Sequence, residues 1–155
     1  MNAQRHLIFL LCAMWSSTGF PQTFTPASDV DLTASYCLGV VQQQVVGAAA
    51  FAAKLGATDA RTSQLMSEHQ QALQDRLNRL RAYIIPKVQY TDPVALTLSR
   101  SRGEADYATL MAVQIPQECS SPDRAKAVEC GTTVVHSTPA WKRIDRCTAL
   151  EFLPF

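Results

Sequence analysis

The chain has almost no surplus charge, with 14 Lys and Arg against 13 Asp and Glu in 155 residues. That balance supplies no long-range attraction for nucleic acid or for an anionic membrane. There is no Gly-rich phosphate loop, no H-E-x-x-H and no G-x-S-x-G, so the usual signatures of nucleotide binding, zinc proteolysis and the serine-hydrolase elbow are missing. The five cysteines never form C-x-x-C or C-x-x-C-H, which removes the ordinary marks of thioredoxin-type redox chemistry, covalent haem and structural zinc. No cofactor is expected. Histidine is scarce, with His6, His69 and His136 making up the three.

What the chain does contain begins with a leader. Arg5 and His6 precede an apolar run from Leu7 to Trp15, followed by the small and polar Ser16-Ser-Thr-Gly19. This is the order of a secretory signal peptide, and the run is about half the ~20 residues a membrane-crossing helix needs. We read residues 1–19 as the leader and 20–155 as a single helical domain. The expected location is exported, periplasmic or secreted, with no stable membrane span once the leader is removed. A cut after Gly19 takes away Arg5 and Cys12, leaving 13 residues of each sign and an even set of cysteines: Cys37, Cys119, Cys130 and Cys147. In an exported chain of this size, that is a disulfide framework.

Hydrophobic periodicity then predicts an all-α fold. Residues 29–55 read as a helix, opened by Asp29 or Asp31 and closed at Leu55-Gly56, with a close neighbouring backbone explaining Gly39 and Gly47. A second helix starts at Thr58 or Asp59 and carries Met66, Gln70, Leu73, Leu77, Leu80 and Ile84 at spacings of four and three before Pro86 stops it. Asp92-Pro93 opens a third over 93–115, with Leu98, Ala105, Ala108, Ala112 and Ile115 on its apolar stripe and a break at Ser101-Arg-Gly103. Residues 117–138 read as a polar connection, with a short strand at Thr132–Val135. Thr138-Pro139 starts a short helix, and Phe152, Leu153 and Phe155 are expected to tuck back over it. The expected architecture is a small antiparallel bundle of three long helices plus a short C-terminal helix, stapled by two disulfides.

Four cysteines allow three pairings. A first helix of about 39 Å, flanked by down and up neighbours, places residue 37 near the start of the third helix and residue 119 beyond its far end. A Cys37–Cys119 bond would span about 25 Å, against about 5.5 Å between bridged Cα atoms. Geometry therefore favours Cys119–Cys130 as a local clasp and Cys37–Cys147 as the staple of the last helix.

Function leaves fewer marks. His69 follows Glu68 on the second helix, the one arrangement resembling a carboxylate-steered base, and a small hydrolase using His69 is one alternative. Met66 and Met111 read as core filler. Arg76, Arg79, Arg81 and Lys87 form a basic strip suited to an acidic partner. The Ala48–Phe51 surface becomes a partner or self-association interface if the C-terminal segment leaves it uncovered. The five residues Tyr36-Cys-Leu-Gly-Val40 resemble the start of small periplasmic immunity proteins, which act by binding a protein; no second motif extends the likeness. The expectation is a protein-binding role, as inhibitor, immunity protein or adaptor, with an unknown protein partner and no nucleic acid. A structural or accessory role in the cell envelope is the other alternative.

Overall fold

The computed structural model describes residues 23–55 and 59–153. The leader 1–19, the proposed cap at Gly56, Thr58 and Phe155 lie outside the described residues. Among the described residues five α-helices follow one another: α1 (Asp29–Leu55), α2 (Ala60–Ile84), α3 (Pro93–Met111), α4 (Arg124–Ser137) and α5 (Pro139–Ile144). The fold is all-α and carries the Cys37–Cys147 and Cys119–Cys130 disulfides, with Cα–Cα distances of 5.2 and 5.4 Å. Three long helices plus one short one is thus too few.

The additional helix, α4, occupies the stretch expected to be a polar connection with a strand at Thr132–Val135. Asp123 caps it by accepting a hydrogen bond from the Ala125 amide, and Thr138 ends it while capping α5 through the Trp141 amide. The Cys119–Cys130 bond ties it to the turn before it, and His136 stacks on Trp141 of α5 at 4.2 Å between ring centres. No residue of α4 is fully buried, so its valines and threonines follow no inward-facing period. Local caps and the clasp hold it instead.

The centre of the molecule is the crossing of α1 and α3. These helices run parallel, and their backbones touch. A Cβ on Gly39 would lie 2.2 Å from the Arg100 carbonyl oxygen, and one on Gly103 would lie 2.1 Å from that of Tyr36. Gly103 therefore does not break the third helix, which is continuous from Pro93 to Met111. Two serines bond across the same interface, Ser35 Oγ to the Leu96 carbonyl and Ser99 Oγ to that of Leu32, both at 2.7 Å. The two octads in contact share a pattern, Leu32-Thr-Ala-Ser-Tyr-Cys-Leu-Gly39 and Leu96-Thr-Leu-Ser-Arg-Ser-Arg-Gly103. Equivalent residues make equivalent contacts, so the crossing has a local two-fold symmetry. It also displaces the expected apolar stripe of α3: Leu98 is 66% exposed, and the packed face is Leu96, Ser99 and Gly103. Small residues let the backbones approach, at the expense of any hydrophobic period on that face.

Around this crossing, Leu77, Leu80 and Ile84 of α2 join Val40 and Val41 of α1 in the core. After the staple, Leu150 adopts a left-handed backbone with φ of 55°, and Leu150 and Leu153 insert into the same core. The chain entering α1 is held by Thr25, whose amide donates to the Tyr90 carbonyl and whose own carbonyl accepts from the Asp92 amide. Beside it, Asp31 is buried with Lys87 at 2.6 Å, and also accepts from the Tyr83 and Ser28 hydroxyls. Burial alone would raise its pKa. The bonds from Lys87, Ser28 and Tyr83 outweigh that and hold it at about 2.

Candidate functional site

Because α5 and the C-terminal segment are stapled to Cys37, they cover the first half of α1, and among the described residues the second half is left to α2 and α3. Helix α1 has 27 residues and α3 has 19. Since they start at the same level, about two turns of α1 overhang the end of α3. The overhang opens a cleft of about 540 Å³.

Each wall of the cleft has a local cause. From α1 come Gly47, Ala48 and Phe51, where small residues keep the wall low. Gly47 leaves room for Tyr107 of α3, whose hydroxyl oxygen would lie 3.3 Å from a Cβ at that position. Burial pushes the Tyr107 phenol up from its ordinary pKa. From α2 come Leu65, Met66 and, at the floor, the buried Leu73, and from α3 comes Met111. Phe51 and Leu65 are each 58% exposed and Met111 is 67% exposed, so apolar surface faces solvent around the opening. Gln44, Thr62, His69, Gln70 and Arg76 supply the polar positions.

The residues singled out from sequence fall in three places. Ala48 and Phe51 line the cleft, and the C-terminal segment does not cover them. Arg76 borders the cleft, while Arg79 and Arg81 are exposed elsewhere on α2, with Arg81 about 140° around the helix from Arg76. Lys87 lies beyond α2, in the ion pair with Asp31. His69 lines the cleft, but Glu68 does not; its carboxylate accepts a hydrogen bond from Gln64 at 2.8 Å. Met66 and Met111 line an open surface, where core positions were expected.

Sequence reasoning missed Leu65 and Tyr107. The only signal for Tyr107 is its pairing with Gly47, sixty residues away and visible once α1 and α3 are laid side by side. Among the described residues, no group of three or more His, Cys, Asp or Glu side chains is placed to hold a metal ion. One described helix, Asp29–Lys54, is long and apolar enough by length and composition to cross a membrane; its core residues and the Cys37 bond make it the central helix of the bundle. No known protein family, curated protein or solved structure matches the chain.

Proposed function

We propose that the protein works outside the cytoplasm by binding another protein, and that the cleft between the ends of α1, α2 and α3 receives an apolar segment of that partner. The single observation that supports this is the cleft itself. Its walls are apolar, it is open along one side, and its volume lies in the range of sites that take a few side chains. An amphipathic helix laid into a groove offers such side chains at one-turn intervals. Met66 and Met111 suit the task because an unbranched thioether repacks against different shapes. Two disulfides and the leader pattern at residues 1–19 support export.

The test is affinity capture by the oxidised protein from envelope extract or culture fluid, run in parallel with Ala48→Arg. A guanidinium at position 48, a half-buried site on the cleft wall, extends into the open cleft and charges it, and thermal unfolding checks that the variant folds. A partner should be retained by the wild type, lost at least tenfold with Ala48→Arg, and retained by Gln89→Arg at the other end of the molecule. Absence of any specific partner, or one retained equally by Ala48→Arg, would refute the reading.

A further inference from the structure

A second groove, at the stapled end of the molecule, has the opposite chemistry. It measures about 580 Å³ and is bordered by Tyr36, Ser99, Arg102, Arg143, Arg146 and Asp29. Its three arginines come from α3 (Arg102), α5 (Arg143) and the turn that follows α5 (Arg146). Asp106 shows what they do to a carboxylate. Arg143 grips it in a fork, Nε to Oδ2 and an Nη to Oδ1, both at 2.7 Å, while the Tyr36 hydroxyl donates to Oδ2 at 2.7 Å. The Arg143 bonds lower the Asp106 pKa, and Arg102 adds to the effect from nearby. Of the three arginines, only Arg143 is in an ion pair with Asp106.

Arg102 and Arg146 are exposed and have no carboxylate within ion-pair distance among the described residues. Arg146 lies over the Tyr36 ring, its guanidinium carbon 5.1 Å from the ring centre. A guanidinium held over an aromatic face by cation–π attraction keeps N–H donors available for a bond to a carboxylate. Among the described residues that line the groove, Asp29 is the one acidic side chain. The two free guanidiniums stand on different walls, so the groove offers separate single-charge contacts. That suits carboxylates spaced along a chain better than one compact dianion.

We infer that the Tyr36–Arg102–Arg146 groove is a second docking site, and that its ligand is an acidic, carboxylate-bearing segment of a protein. This goes beyond the apolar cleft, which lies at the far end of α1, and stands or falls separately from it. The Cys37–Cys147 bond makes the site, since it joins the neighbours of Tyr36 and Arg146 directly.

The probe is a fluorescein-labelled hexaglutamate peptide, titrated by anisotropy against the oxidised protein at low ionic strength. The chain as a whole carries a formal charge of only +1, so general attraction does not produce a strong signal. The wild type should bind, and Arg102→Ala with Arg146→Ala should weaken binding at least tenfold. Arg124→Ala with Lys126→Ala, both exposed and outside either groove, should leave it within twofold. Both arginines of the groove pair are exposed, so the variant folds, and thermal unfolding checks this. No binding by the wild type would overturn the inference, and so would equal losses in the two double variants. Binding of inorganic phosphate without binding of hexaglutamate would also overturn it, assigning the groove to small anions.

Discussion

At the scale of single residues, the two crossing glycines differ from the others in kind. A methyl group at Gly39 or Gly103 meets a backbone carbonyl, which no rotamer change relieves. Gly39→Ala and Gly103→Ala should each destabilise the protein by on the order of 3 kcal/mol, read as a lower urea midpoint. Gly131 in α4 is the control, because its new Cβ would sit at an ordinary 3.7 Å from Ile115. Gly131→Ala should stabilise by up to about 1 kcal/mol through helix propensity. Asp31 gives the acid limit. Its folded pKa of about 2 lies below the ordinary 3.8 of an aspartate, so its contribution is complete above about pH 4 and is lost as pH falls towards 2. Between those limits the loss is on the order of 2 kcal/mol. Asp106, lowered chiefly by Arg143, acts with the same sign. Urea midpoints measured down this range should fall less steeply for Asp31→Asn than for the wild type; parallel curves would show that the bonds to Lys87, Ser28 and Tyr83 contribute nothing.

At the scale of elements, the two disulfides do different work. The staple closes a separation of 110 residues and the clasp one of 11, which by loop-closure entropy corresponds to about 5 and about 3 kcal/mol. The clasp should nevertheless be reduced more readily, since Cys130 is partly exposed while Cys37 and Cys147 are buried. Stepwise reduction followed by amide exchange should show α4 losing protection first, and α5 with the C-terminal segment only after the staple opens. The reverse order would place the stability of α4 elsewhere. Helix α4 also marks where sequence reading fails and why. The seam of α2 was legible because Leu73, Leu77, Leu80 and Ile84 are buried by large neighbours and repeat with the helical period. In α4 nothing is fully buried, and Thr132-Thr-Val-Val135 taken alone has the composition of a strand. Its caps, Asp123 and Thr138-Pro139, were the only readable signals. The apolar stripe of α3 was misplaced for the opposite reason: its packed face is built from serine and glycine, which no hydrophobic count detects.

At the scale of the molecule, one end is closed by the staple and the C-terminal core, and the other is open. The small-residue run at Ala48–Phe51 was visible in sequence, but whether it stays uncovered was not, because that depends on where the staple holds the C-terminal segment. The arginine groove was not visible. Tyr36, Arg102 and Arg146 belong to three separate segments, and only the staple and the glycine crossing bring them together. The pairing of the cysteines was inferable from helix lengths, yet its consequence for the neighbouring arginines needs the side chains in place.

The repeated octads at the α1–α3 crossing bear on how the chain reaches this state. Because α1 and α3 present the same grips, α1 of a second copy can stand in for α3 before α3 has docked. Folding is therefore a race between an intramolecular partner and an intermolecular imitation of it, and crowding favours the imitation. Refolding yield should fall as chain concentration rises, with a dimer peak emerging on gel filtration; a yield independent of concentration would show that α3 docks before the competitor can form. A shared pattern that makes the native crossing so close also makes the nascent chain sticky toward its own kind.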